Sequence, residues 1–429
     1  MSQTLQDLLN HSPMTRSRFL LFISCFLIAF FDGLDTALMG FIAPYLSADW
    51  GIEKGALAPV LTAALVGIML GALIGGPLAD KFGRRKVLLG SMILFSLLTM
   101  TSKFANSLDT LEILRFFTGL GLGSAMPNAV SLLTECSPSD RRPLLVNAMY
   151  CGFPLGIAVG GFVAAWFLPH FGWQSAFWWA GLLPLGLAAA LVFSLPESPL
   201  YLAQMGKVEK LQQVLQKLLP KALWNTPYQL PEKETKQSAL RYIISPKERR
   251  ATLALWSAYF LGLCLFYSII NWLPSLSTAA QLSPEQGSRI SGLFALGGLG
   301  AIVAGQLMRH IEGHGLTIGL TLITASALGF AGLDVMQTDY LVWGLLVAGV
   351  THNTVQILLI ALAAEHYPTH ARTTGVAYML GIGRLGAIVG TYGAGQLLRV
   401  GMGLGQMFAV LALCAAGIAA LVWVKKYPS

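Results

Sequence analysis

The sequence predicts an all-α membrane protein of twelve transmembrane helices in two pseudo-symmetric six-helix bundles. Three observations carry this. Of the 429 residues, 55% are hydrophobic and only 11% charged, too few charges to cover a soluble domain of this size. Runs close to the ~20 apolar residues that a spanning helix needs recur twelve times, roughly at 19–46, 56–79, 87–104, 110–134, 143–168, 174–195, 251–276, 286–308, 315–336, 340–364, 373–398 and 404–424. A sequence pattern in the first six runs returns in the second six at an offset of 230 residues.

Run 1 is too long, and too uninterrupted by any small-residue cleavage site, to be a cleaved signal peptide. It carries FFDGLDTALMGF, with Asp32 and Asp35 in an otherwise uncharged stretch from Phe19 to Ala48. A carboxylate in hydrocarbon costs about 3 kcal/mol or more, so it is expected to face a cavity or a partner. Spacing i, i+3 puts both acids on one helix face with Thr36 beside them. Two acids that close do not easily both ionise, which suits proton exchange. Run 2 holds GIMLGALIG, a glycine on every turn of one face, the pattern that lets helix backbones approach. The loop after it reads GPLADKFGRRK. Gly83 permits a tight turn there, and Asp80 can meet a helix N-terminus or the basic cluster around Arg84, forming a conformational latch.

Run 4 contains Arg115, the expected counter-charge for the run 1 acids. At 1.5 Å per residue its depth and that of Asp35 differ by about one turn. The loop before run 5 reads E-x-x-P-x-x-x-R through Glu135, Pro138 and Arg142. The loop before run 11 repeats it through Glu365, Pro368 and Arg372, and at the same offset of 230 Gly156 meets Gly386 and Gly160 meets Gly390. These four charged residues join the expected latch set. A duplicated membrane protein commonly places a central site between its repeats. Run 5 opens with Asn147 and Tyr150 and continues as a second glycine stripe, GFPLGIAVG.

Residues 196–250 are the one long polar segment and divide the chain into residues 1–195 and 251–429. Within it, Val208, Leu211, Leu215 and Leu218 mark an amphipathic helix expected to lie on the cytoplasmic membrane face. Run 7 holds Tyr267 and Asn271 on one face, and Pro274 is expected to end or kink that helix. The second-half counterpart of the Asp80 loop, GQLMRHIEGHG, has Arg309 where an acid would stand, so no second latch is expected there. Run 10 places His352 and Gln356 on one face with Asn353 adjacent. Run 11 carries Arg384 near mid-membrane, where a planar guanidinium can hold a carboxylate at two points. Arg384, Asn147, Tyr150, Tyr267, Asn271, His352, Asn353 and Gln356 are the expected substrate contacts.

The net charge of +8 does not point to nucleic acid, because of where it sits. With the N-terminus in the cytoplasm, 22 Lys and Arg fall on the cytoplasmic side and 4 on the other, which orients both termini inward. The cysteines, Cys25, Cys136, Cys151, Cys264 and Cys414, have no disulfide or metal spacing. No metal or cofactor is expected. No nucleophile–base set points to an enzyme, and the PESP and Glu135 motifs fall in loops.

The GPLADKFGRRK loop resembles the G-x-L-x-D-x-x-G-R-R/K signature of the major facilitator superfamily, and RFFTGLGLG resembles the R-x-x-x-G-x-G motif of proton-coupled facilitators. FDGLDTALMGFIAP, PNAVSLLTE, MYCGFPLG, INWLP and GIGRLGAIVG together resemble the aromatic acid/proton symporter family, whose most specific mark, D-G-x-D, reads Asp32-Gly33-Leu34-Asp35 here. LPESPLYL resembles a sugar-porter motif, but the chain ends KKYPS without the P-E-T motif of those proteins. The resemblance implies a major facilitator fold in the inner membrane and proton-coupled uptake of a small aromatic carboxylate such as a benzoate, hydroxybenzoate or phenylpropionate. It implies roles for Asp32, Asp35 and Asp80, and for Arg115 in coupling. The expected partners are that anion, protons and lipid, with the protein monomeric. A muconate-like dicarboxylate carrier and a drug/proton antiporter are the alternatives; the sequence does not name the acid.

Overall fold

The computed structural model describes residues 3–221, 228–229, 242–246, 248–279, 282–300, 312–333 and 338–426. The GQLMRHI part of the second-half loop, with Arg309, lies outside the described residues. The helices are α1 (Leu5–His11), α2 (Arg16–Trp50), α3 (Ala58–Phe82), α4 (Arg84–Thr101), α5 (Leu108–Cys136), α6 (Arg142–Tyr150), α7 (Gly152–Ser194), α8 (Pro199–Gln204) and α9 (Val208–Leu218). They continue as α10 (Arg249–Ala279), α11 (Pro284–Leu296), α12 (Gly313–Leu333), α13 (Thr338–His366), α14 (Thr369–Arg399) and α15 (Leu404–Lys426). Two-residue strands, β1 (Gln3–Thr4) and β2 (Tyr228–Gln229), pair in parallel.

Helix occupies every one of the twelve apolar runs. Among the described residues, 9 helical segments are long and apolar enough to cross a membrane. One of them, Arg142–Ser194, is 53 residues long and holds two spans. They join at Gly172, whose φ of 74° breaks the helix where an L side chain would be strained. Two further runs have helices outside that group: α11, which is followed by a 3-10 turn, Gly297–Gly300, at the edge of the described residues, and α14, which is 31 residues long. The helix around Pro274 does not end there. α10 runs on to Ala279, because inside a bundle neighbouring groups can meet the backbone polar atoms that proline leaves free.

The chain forms two compact units. The first comprises Met1–Asp35, Val66–Gly156 and Phe177–Thr235, and the second Thr36–Leu65, Ile157–Ala176 and Lys236–Ser429. In the first unit the glycine stripes meet backbone. Cβ atoms on Gly67 and Gly71 would collide with the Phe116 and Leu120 carbonyls, so α3 packs flush on α5. Gly156 likewise abuts the Phe30 carbonyl, seating α7 on α2. In the second unit Gly386 abuts the Phe260 carbonyl, seating α14 on α10. Both partners of that contact are displaced by 230 residues, so the repeat read in the sequence is a repeat of packing. Also in the second unit, the Tyr45 hydroxyl donates to Glu285 Oε1 at 2.8 Å, joining α2 to α11.

The amphipathic helix α9 departs from expectation. Leu211, Leu215 and Leu218 are buried, but Leu211 and Leu215 pack with Leu5, Leu8 and Leu9 of α1 and with Tyr201 and Leu202 of α8, while Val208 stays exposed. The apolar face is covered by protein, because a second amphipathic helix lies at the start of the chain. Thr4 and Asp7 form a capping box on α1. The C-terminal end of α1 is held by Arg18, whose buried guanidinium donates to the Leu9, Ser12 and Pro13 carbonyls at 3.2, 3.0 and 3.3 Å. Asn10 extends the attachment by accepting from Arg142 Nη2 at 2.6 Å.

Candidate functional site

Within the first unit the packing of three helices builds a dry ion pair. Gly121 lets α5 approach the Ser91 carbonyl and Phe95 of α4. That brings Arg115 of α5 and Thr99 of α4 to the face of α2 that carries Asp35. Arg115 Nη2 stands 2.6 Å from Asp35 Oδ2, and both side chains are 1% exposed. Arg115 Nη1 donates to Asp35 Oδ1 at 3.3 Å, and Nη2 also reaches the Asp35 carbonyl at 3.4 Å. Thr99 Oγ1 donates to Oδ1 at 2.7 Å. The carboxylate is therefore saturated by donors, the condition under which a buried charge is tolerated. Asp32, one turn earlier, is 8% exposed.

The depth argument placed Arg115 within a turn of Asp35, and the structure puts them in contact. Thr99, fully buried, escaped sequence reasoning. One hydroxyl of the three in LLTMTS gives no periodic signal, and most helical Ser and Thr simply bond their own backbone.

The expected substrate residues divide between the units. Asn147 and Tyr150 lie on α6 in the first unit, both exposed. The other six lie in the second. His352 is 1% exposed and packs beside Phe266 and Phe294, nearly parallel to each, with ring centroids 6.5 and 6.2 Å away. Its Nε2 is 3.5 Å from Nε2 of Gln356, whose Oε1 has no hydrogen-bond partner among the described residues. Gln356 fills the space left open by Gly262, where a Cβ would strike its amide. Asn353 donates to the Gly349 and Phe294 carbonyls at 2.7 and 3.2 Å, tying α13 to α11. Asn271 is engaged in packing: it donates to Thr391 Oγ1 at 3.0 Å, beside the bond from Trp272 Nε1 to the Thr391 carbonyl at 2.8 Å. Tyr267 is buried edge-on to Phe266, and Arg384 is half-buried on α14.

Of the residues expected to form a latch, Asp80, Gly83, Arg84 and Glu135 come together inside the first unit. Gly83, with φ of 103°, turns the chain from α3 into α4, and a Cβ there would collide with the Glu197 carboxylate. Arg84 bonds Asp80 at 2.7 Å and Glu135 at 3.2 Å. Glu135 accepts from Ser198 Oγ, while Glu197 Oε1 accepts from the Arg85 backbone N–H at 2.9 Å. Glu135 sits in the last turn of α5 rather than in a loop, whereas Glu197 and Ser198 lie in the short non-helical link before α8, with Ser198 as its N-cap. Glu197 and Ser198 were passed over as site residues. The available signal was an acid and a capping hydroxyl at the end of run 6, with the basic GRRK stretch in the same half of the chain. Arg142 Nη2 donates to the Ser137 carbonyl at 3.1 Å and Arg372 Nε to the Tyr367 carbonyl at 3.4 Å, the same step of five residues in each repeat. Glu365 is exposed. No group of three or more His, Cys, Asp or Glu able to hold a metal occurs among the described residues.

The family model described as Major Facilitator Superfamily matches residues 25–391. The 4-hydroxybenzoate transporter PcaK of Pseudomonas aeruginosa is 43% identical, over 98% of this chain and 95% of its own length. A gallate transporter of Pseudomonas putida is 41% identical, over 96% and 92%. The xylose transporter XylE from E. coli, solved in an inward-open conformation, superposes with a TM-score of 0.73 at 18% identity, covering 95% of each chain, a likeness of fold alone. This multi-pass membrane protein belongs to the Major Facilitator Superfamily, in its family of aromatic acid transporters.

Proposed function

We propose that this protein imports a small aromatic carboxylate of the hydroxybenzoate kind across the bacterial inner membrane, together with protons, by alternating access. The observation that carries the reading is the dry Asp35–Arg115 pair with its Thr99 donor, in a chain that aligns end to end with a hydroxybenzoate transporter. An ion pair sealed from water gains little stability over an apolar replacement. Its presence is better explained by a charge that changes during the cycle.

In this reading Asp32, the more exposed of the two acids, receives the proton first and Asp35 receives it next. Protonating Asp35 releases Arg115 from its carboxylate. The substrate enters as an anion, and its carboxylate meets the guanidinium of Arg384. The ring lies against aromatic and amide groups of the second unit, with His352, Gln356, Asn353 and Tyr267 as the candidates there; Asn147 and Tyr150 are the candidates on the first unit. Asn271 acts by holding α10 to α14. Joining a proton to the acid pair and an anion to the arginine removes both isolated charges, which lowers the penalty for closing the site away from water. The network of Asp80, Gly83, Arg84, Glu135 and Arg142 stabilises one end state, and Glu365 and Arg372 act as its repeat. Both termini face the cytoplasm, and the monomer is the working unit.

The test is substrate-dependent stabilisation of purified protein, screened over benzoate, 4-hydroxybenzoate, gallate, a phenylpropionate, muconate and a cationic drug. The reading expects a melting shift with the hydroxybenzoates that is lost in Arg384→Gln. A shift with the cation alone would refute it.

A further inference from the structure

Helical hydroxyls in this protein generally return to the carbonyl four residues back. Near the ion pair, Thr101 donates to the Leu97 carbonyl at 2.8 Å, Ser102 to Leu98 at 2.9 Å and Thr118 to Leu114 at 2.8 Å. Thr99 lies within one turn before the first two of these, on α4, and departs from the habit. Its hydroxyl reaches across to Asp35 Oδ1 at 2.7 Å. It is fully buried, as are its target and the arginine on the other side.

We propose that Thr99 is a positioning residue that keeps Asp35 hydrogen-bonded in both of its protonation states, and so permits a proton to be taken up at a site without water. A hydroxyl is both donor and acceptor. With Asp35 ionised, Thr99 donates to it, as seen here. With Asp35 protonated, the carboxyl O–H donates to Thr99 Oγ1, and the threonine proton turns to the Phe95 carbonyl, one helical turn back, as its neighbours' protons already do. Neither the Asp35 carboxyl nor the Thr99 hydroxyl is left without a partner in either state. Valine has the same shape and can do neither; serine can do both. The charged groups that bear on Asp35 are Asp32 on its own helix and Arg115 of α5. From α7, the packing against α2 is by glycine and backbone at Gly156 and Phe153.

The inference rests on the transport reading for the importance of Asp35, but its test needs no substrate, so the two can fail separately. Infrared difference spectra of purified protein, recorded along a pH titration, contain a carboxyl C=O band that is identified by its loss in Asp35→Asn. In Thr99→Val this band is expected to shift in frequency. Thr99→Ser should return the band to its wild-type frequency, since it keeps the hydroxyl. Thr99→Ala, also without the hydroxyl, should behave as Thr99→Val and serves if valine does not fold. An unchanged Asp35 band in Thr99→Val or Thr99→Ala, a serine variant that matches valine, or no Asp35-dependent band at any pH at which the protein stays folded would each overturn the proposal.

Discussion

Replacing Asp35 with asparagine isolates one charge without changing shape. The amide oxygen can still accept from Thr99 and Arg115, which now reach Oδ1 at 2.7 and 3.3 Å. What is lost is the negative charge opposite a guanidinium that is 1% exposed, and with it the Oδ2 acceptor that Arg115 Nη2 meets at 2.6 Å. Removing one partner of a buried pair typically costs about 3–5 kcal/mol. The retained hydrogen bonds offset roughly 1 kcal/mol of that, so Asp35→Asn should destabilise the protein by about 2–4 kcal/mol. Arg115→Gln should cost less at low pH, where Asp35 can escape its isolation by taking a proton. The double variant Asp35→Asn/Arg115→Gln leaves no unpaired charge and should recover about 2 kcal/mol relative to the sum of the single variants. The assay is reversible unfolding in mixed lipid–detergent micelles, run as a double-mutant cycle. Additivity within about 0.5 kcal/mol would mean that the pair does not interact, and the electrostatic argument built on it would be wrong.

The repeated packing contact makes a symmetric prediction. Gly156→Ala and Gly386→Ala should each destabilise by about 1–3 kcal/mol, because the new methyl meets the Phe30 or Phe260 carbonyl, whereas Gly186→Ala, which meets nothing within 4 Å, should change stability by less than about 1 kcal/mol; thermal melts followed by size-exclusion chromatography decide. Leu8→Ala removes a buried side chain shared by α1, α8 and α9, weakening that cluster by about 2–5 kcal/mol and speeding tryptic cleavage at Lys210 and Lys217. Asp7 is held below the ordinary carboxylate range by the side-chain and backbone bonds from Thr4. Its capping contribution is therefore present above the unfolded value and is lost as pH falls through the folded one, so acid should loosen α1. The same tryptic cleavage, assayed after brief acid exposure, should rise in wild type and lose that pH step in Asp7→Asn.

Much of the scaffold was legible because a bilayer imposes a length and a polarity that composition cannot hide. The twelve runs, the glycine stripes and the offset of 230 residues each follow from such constraints, and Gly156 with Gly386 returns as the same backbone contact in both repeats. The meeting of Asp35 and Arg115 was readable from depth alone. Other features were not. An amphipathic stretch such as α9 says that one face is apolar, but not whether lipid or protein covers it; here Leu5, Leu8 and Leu9, in a segment too short to stand out, supply the partner. Pro274 signals a missing donor, and the surrounding packing allows the helix to continue. Asn271 reads as a polar group available to a ligand, yet Thr391 on α14 occupies its donor. Thr99 is the hardest case, because its chemistry depends on which way one hydroxyl points. The joining of Glu197 and Ser198 to the Arg84–Glu135 network needed the fold to bring the end of α7 beside α4 and α5.

The most direct test of the account is uptake of labelled 4-hydroxybenzoate into proteoliposomes with an imposed inward proton gradient. Wild type should accumulate the acid above its outside concentration. Asp35→Asn should lose that accumulation while still exchanging labelled for unlabelled acid across the membrane, and Asp32→Asn should be impaired in the same sense. Concentrative uptake that persists in both variants would contradict the claim that the buried acids of α2 couple proton and anion movement.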